Sequence, residues 1–229
     1  MKSIVIGFNK NTSGFSHVPS YVSRSEYTFT IPILPALSIV YIQFPGFNAS
    51  SYSLSEDFMI DGKTISIVLD NIYENGLDII INYNGVRDYS LLFPWVGNVK
   101  LRERLGQFYE EAEKSFESGA WLSFALMCGA VFEGALYARN VSGKNYYKRI
   151  CNAAENQIIS ERTRKIMNEV KDFRNYVHVD EDRNGVSRYE LPYVTRTNAM
   201  DIRSVLDEII VNFSMTHIEA GECKNWNTN

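Results

Sequence analysis

The chain has 229 residues, 45% of them hydrophobic and 22% charged, and a formal net charge of −4. These proportions exclude disordered, collagen-like and disulfide-scaffold classes, and the mildly acidic balance excludes a surface coated in nucleic-acid-binding charge while leaving room for a local basic groove. Cys128, Cys151 and Cys223 are odd in number and widely spaced, with no C-x-x-C pair, and there are only three histidines, so neither a metal centre nor another cofactor is expected.

The opening M-K-S-I-V-I-G-F-N-K-N turns polar too early for a secretory signal, whose apolar core needs ~7 to 15 residues. With the thiol pattern this predicts a cytoplasmic protein. Up to about residue 95 the chain reads as strands and turns, with five of the six prolines (Pro19, Pro32, Pro35, Pro45, Pro94) among short β-branched and aromatic runs. Strands are expected at 4–8, 27–33 and 38–44. Asp61-Gly62 separates F-M-I from T-I-S-I-V-L, and Asn84-Gly85 separates L-D-I-I-I-N-Y from V-R-D-Y-S-L-L-F, so each dipeptide predicts a hairpin turn. Six or seven such strands imply a sandwich or barrel-like domain over residues 1–95. Its aromatic residues (Tyr21, Tyr27, Phe29, Tyr41, Phe44, Phe47, Tyr52) suit either an ordinary core or a face for a ligand or protein partner.

From Val99 the period becomes helical. Leu101, Leu105, Phe108, Ala112 and Phe116 share one face of a helix over 98–117, and Ser118-Gly119 turns the chain into a second helix over 119–139. The apolar stretch 119–138 is about long enough to span a bilayer, but Glu133 within it, the absence of anchors at its ends and small residues at Ala130, Gly134 and Ala138 predict the central helix of a bundle and no membrane contact. A short helix comes next over 146–156. Ser160 caps the one after it, buried along Ile166, Val170, Phe173 and Val177 and running to about 179. Ser187 to Val194 alternates as an extended excursion. A last long helix carries Ile202, Val205, Leu206, Ile209, Ile210 and Phe213, with Asn198 as cap and Asp201 as first-turn acid. The whole is therefore an α+β chain, with a β-rich domain at 1–95 and an up-and-down bundle of four or five helices at 96–229.

The stretch K-I-M-N-E-V-K-D-F-R-N-Y-V-H-V, 165–179, carries the most chemistry. Arg174 and His178 are four apart and share a helix face, which traces back through Lys171 and Met167 to Arg164. Such a cationic stripe suits phosphodiester chemistry without a metal: Arg174 would hold phosphate oxygens and stabilise developing charge, His178 would act as base or acid on a ribose hydroxyl and leaving oxygen, and Asn175 would orient either group. Lys171 and Arg164 would bind the substrate. A symmetric dimer would complete a site built from so few groups. A structural role fits the same residues: Arg174 paired with Glu133 on the apolar second helix, and His178 meeting the free carbonyls of its own helix end. Ser16-His17 and Cys128 lack any nucleophile motif such as G-x-S-x-G.

The run A-L-M-C-G-A-V-F-E-G-A-L (125–136), the run Y-Y-K-R-I-C-N-A-A-E-N-Q-I-I-S (146–160) and the helix ending in F-R-N-Y-V-H together resemble the HEPN superfamily, in particular its DUF4145-like and abortive-infection branch, over about residues 98–217. That resemblance implies a helical bundle dimerising through the motif-bearing helices and, in active members, a metal-independent endoribonuclease of toxin–antitoxin or phage-defence systems. Arg174 and His178 would be its catalytic pair and Asn175 the polar residue beside the Arg. The interval between Arg174 and His178 is shorter than the family's usual one, and Asp180 stands where nucleotide-modified members have a tyrosine. Non-catalytic members keep the bundle as an assembly module. The N-terminal half resembles no family.

Overall fold

In a computed structural model of the chain, the residues described are 2–8, 15–19, 25–44, 51–53, 58–69, 77–177 and 193–225. They form two compact units, one comprising Met1–Trp95 with Ile210–Asn229 and the other Val96–Ile209.

The first unit holds eight strands among the described residues: β1 (Lys2–Phe8), β2 (Phe15–Pro19), β3 (Ser25–Thr30), β4 (Leu37–Gln43), β5 (Ser51–Ser53), β6 (Phe58–Asp61), β7 (Thr64–Leu69) and β8 (Leu77–Val86). They pair antiparallel in two four-stranded sheets, ordered β1-β8-β4-β5 and β2-β3-β7-β6. In β1 the alternation is strict, with Ile4, Ile6 and Phe8 buried and Val5 exposed, as a half-buried strand requires. Phe8 of one sheet meets Phe29 of the other edge to face at 5.1 Å, and Phe44 lies 6.1 Å from Phe29, so the inner faces share one aromatic core. Phe29 and Phe44 are thus core residues. Tyr21 and Phe47 lie outside the described residues. On the outer face of the first sheet, Ser3 Oγ donates to Asn82 Oδ1 at 2.6 Å and Asn82 Nδ2 donates to Gln43 Oε1 at 3.2 Å, a polar rung across β1, β8 and β4.

Of the two expected hairpins, the first forms with its turn one residue further on and the second does not form. The β6–β7 turn is made by Gly62-Lys63, because Asp61 already pairs with Thr64, and Gly62 takes the positive φ of 56° at the first turn position. Asn84-Gly85 makes no turn at all: β8 continues through it, paired with β1 as far as Tyr83 and with β4 on both sides of the dipeptide. Tyr83 faces Ile39 and Val86 faces Leu37, so the dipeptide is absorbed as a bulge opposite Ser38. Pairing along both edges of β8 outweighs the local preference of Asn-Gly. Beyond β8 the chain leaves the sheet: Asp88 Oδ1 accepts from Ser90 N at 2.9 Å and caps a short 3₁₀ turn, Tyr89–Leu92. Trp95 then packs edge to face on Phe213 at 5.7 Å, within the same unit.

The described residues contain five α-helices: α1 (Val99–Glu117), α2 (Trp121–Ala138), α3 (Tyr146–Glu155), α4 (Glu161–Val177) and α5 (Arg196–Asn225). Side-chain caps set several starts. Asn98, Asn145 and Ser160 accept from the backbone N–H groups of Leu101, Lys148 and Thr163. At α5 the cap is Thr195 and not Asn198: Thr195 Oγ1 accepts from Asn198 N while Asn198 Oδ1 accepts from Thr195 N, both at 3.1 Å. The excursion expected at 187–194 falls almost wholly outside the described residues. Helix α2 is long and apolar enough by composition to cross a membrane, and here Phe124, Ala125, Cys128, Val131, Phe132, Ala135 and Leu136 are buried within the helical unit. Phe116 of α1 closes the α1–α2 turn against Trp121 and Phe124. Glu113 of α1 is almost fully buried and forms an ion pair with Arg203 of α5.

Candidate functional site

Arg164, Lys171 and Arg174 follow one edge of helix α4 while Ile166, Met167 and Val170 are buried, and Arg162 on its other side meets Asp201 and Glu208 of α5. Met167, expected on the cationic stripe, therefore belongs to the core. Arg164 Nε donates to Glu161 Oε2 at 2.7 Å, Lys171 Nζ lies 2.8 Å from Asp172 Oδ1, and Arg174 Nη1 donates to Glu133 Oε2 at 2.8 Å. Asn175 is exposed. His178 lies outside the described residues, so the structure brings Arg174 to Glu133 and does not describe its geometry with the histidine.

The approach of α4 to α2 depends on a missing side chain. A Cβ on Gly129 would stand 3.0 Å from Val170 Cγ1 and 3.1 Å from Arg174 Cδ, so glycine lets the Arg174 stem lie flat on α2. Its guanidinium then enters an open cleft of about 330 Å³. Arg104 of α1 and Arg149 of α3 enter the same cleft, with Glu133 the acid among its lining residues. Leu101, Leu105, Ala130 and Gly134 supply its apolar lining, and Phe108 and Tyr137 its aromatic walls. Arg104 sits 5.4 Å from the centroid of Phe108, and Arg149 sits 5.3 Å from that of Tyr137. Neither Arg104 nor Arg149 has a carboxylate partner among the described residues.

Three guanidinium groups facing one carboxylate make the cleft locally cationic on an acidic chain. Guanidinium forks match phosphate oxygens, and flat aromatic walls match a base or sugar, so the arrangement suits a nucleotide or a nucleic-acid strand. Arg174 has donors beyond the Nη1–H used by Glu133, so the pair leaves part of the fork for an anion. Beneath it, burial and then the neighbouring Glu133 push the Tyr146 phenol far up, keeping it neutral. Burial likewise raises the Cys128 thiol well above its ordinary range. Tyr147, outside the cleft, is raised chiefly by its hydrogen bond with Cys151.

Of the residues singled out in the sequence, Arg174 and Glu133 meet in the cleft, while Lys171 and Arg164 stand farther along α4. Sequence reading missed Arg104, Arg149 and Tyr137, and gave Phe108 only a place on the apolar face of α1. Arg104 and Phe108 carry a faint signal in their four-residue spacing on α1, but Tyr137 and Arg149 are joined only by the packing of α3 on α2. Among the described residues no group of three or more His, Cys, Asp or Glu side chains is placed to hold a metal ion.

A DUF4145 domain, described as a domain of unknown function, is found at residues 110–218. The match takes in Glu133, Tyr137, Arg149 and Arg174 but begins after Arg104 and Phe108. No curated protein and no solved structure gives a significant match.

Proposed function

We propose that the helical region is a HEPN-like, metal-independent endoribonuclease, acting as a homodimer in the cytoplasm as a toxin or phage-defence effector, with the β-rich unit receiving a ligand or protein partner. The observation that carries this reading is the convergence of Arg104, Arg149 and Arg174 on one open, aromatic-walled cleft. In the reaction, His178 takes the proton of a ribose 2′-hydroxyl and the 2′-oxygen attacks the adjacent phosphorus. The P–O5′ bond breaks, the 5′-oxygen leaves with the proton that His178 had accepted, and a 2′,3′-cyclic phosphate remains. Arg174, with Asn175 beside it, stabilises the charge that builds on the phosphoryl oxygens. Lys171 and Arg164 hold the strand.

The test is cleavage of a mixed RNA pool in EDTA by the whole protein, beside Arg174→Ala and His178→Ala. The reading expects cleavage to fall about 100- to 1,000-fold in each variant, the usual cost of removing one such group. An RNA pool left intact by the wild-type protein would overturn it.

A second reading is favoured by the Arg174–Glu133 ion pair: a non-catalytic HEPN-like assembly module in which the R-N-Y-V-H motif is structural. Under it, Arg174→Ala changes a protein–protein association and no RNA chemistry.

A further inference from the structure

Two exposed tyrosines stand near the cation row of α4, each with a cation over its ring that an incoming base would share the ring with or displace toward its phosphate. Tyr137, at the end of α2, keeps 58% of its surface exposed with Arg149 5.3 Å from its ring centroid. Tyr147, in the first turn of α3, keeps 45% exposed, with Lys171 at 5.2 Å and Lys148 at 6.0 Å. Lys171 and Arg174 are adjacent on the surface of α4, one turn apart, so the second tyrosine continues the surface that begins in the cleft. Arg164 carries the row further along α4, away from the cleft, and the helix rises ~15 Å between Arg164 and Arg174. That span suits several nucleotides better than one.

The acids beside this row do not close it. Glu161, Asp172 and Glu133 each pair with one of its cations, but these carboxylates are themselves solvated, and exposed pairs contribute little net stability. A phosphate can therefore share or replace them. An exposed aromatic face accepts any unpaired base, and a neighbouring cation takes the phosphate next to it. Bases inside a duplex are stacked on one another and offer no such face.

We infer that Tyr137 and Tyr147 are stacking platforms for two bases of single-stranded RNA, whose backbone follows Arg174, Lys171 and Arg164. This rests on the RNA reading above and narrows the substrate to unpaired strands. The platforms set how a strand is held, and the chemistry of cleavage stays with Arg174 and His178.

The experiment is fluorescence-anisotropy titration of the full chain in EDTA with a labelled 2′-O-methyl oligouridine, which cannot be cleaved through its 2′-oxygen, and with a duplex of equal length. The variants are Tyr137→Ala, Tyr147→Ala and the corresponding Tyr→Phe changes, each checked for an unchanged melting temperature. Each Ala change should weaken single-strand binding about 5- to 150-fold, the Phe changes should restore it, and the duplex should bind more weakly than the strand. Tyrosine variants that bind like the wild type, equal binding of the duplex, or no binding of the strand by the wild type would each overturn the inference. Cleavage is read separately on an unmodified strand. Tight binding with that strand intact removes the nuclease and leaves the platforms, whereas cleavage indifferent to both Ala changes removes the platforms and leaves the nuclease.

Discussion

Arg174 of α4 and Glu133 of α2 are joined at 2.8 Å by side chains that keep 41% and 39% of their surface in solvent. So open a pair is screened, and it holds the bundle together only weakly: Arg174→Ala should cost about 1 kcal/mol or less. Urea unfolding checks this, and a small loss makes the variant a clean probe of function. Glu133→Gln should tighten RNA binding about fivefold at low salt, since one acidic charge a few ångströms from a phosphate is worth ~1 kcal/mol in water-like surroundings. Anisotropy titration over a salt series reads that gain, and weaker binding would show that the acid serves to position Arg174.

Glu113 and Arg203 behave oppositely, because this pair is only 4% and 13% exposed. Arg203→Ala leaves a buried carboxylate without its main counter-charge and should destabilise the protein by ~3–5 kcal/mol. The double change Glu113→Leu with Arg203→Met should recover most of that loss, since Asp207, a second carboxylate beside Arg203, is about one-third exposed and returns to water. Denaturant midpoints of the single and double variants decide the matter.

The buried Cys128 thiol has its pKa raised by desolvation, so the folded state keeps a proton that the unfolded chain releases above ~8.5. Stability is therefore full below that pH and declines as the pH rises above it, by at most ~1.4 kcal/mol per pH unit from this group. Tyr146, raised in the same sense, adds to the decline above ~10. Unfolding free energies measured from pH 7 to 10 should show the slope, and Cys128→Ala, though less stable throughout, should flatten it below pH 10.

Two glycines should respond in contrary ways to alanine. Gly143 has a φ of 154°, and a Cβ there would stand 2.7 Å from the Arg149 backbone nitrogen, so Gly143→Ala should cost about 1–3 kcal/mol. Gly85 sits in β8 with nothing within 4 Å of an added Cβ, and Gly85→Ala should be neutral within about 0.5 kcal/mol or slightly stabilising. Were Gly85 instead at a turn needing positive φ, its substitution would be costly, so thermal melts of the two variants also test the strand assignment.

How far the sequence could be read depends on the range of the forces involved. Asn98 and Ser160 marked helix starts because a cap acts within three residues, and the buried face of α4 was visible because its period is local. Thr195 displaced Asn198 as cap of α5 because both residue types can cap, and their reciprocal bonds place the threonine outside the helix. Asn84-Gly85 misled because its turn preference is short-range, whereas the pairing of β8 with both β1 and β4 is set by residues 37 to 81 positions away. The candidate site was half visible for the same reason. Arg174 and Glu133 stood out on charge and period, but Arg104, Arg149 and Tyr137 come together only through helix packing, which no spacing in the chain records.

Helix α5 gives Arg196 to Ile209 to the helical unit and Ile210 onward to the unit that contains the sheets, where Phe213 meets Trp95. The helical unit is thus an insertion, entered after Trp95 and left at Ile209, and the chain returns to finish what it began. No single cut can part the two units cleanly. A fragment trimmed to residues 96–229 would take Trp95 from Phe213, and one ending at Trp95 would leave that indole on Phe93 alone of its two ring neighbours. The family match, which runs to residue 218, therefore ends inside the unit that contains the sheets and takes in Phe213, whose ring partner Trp95 lies before the match begins.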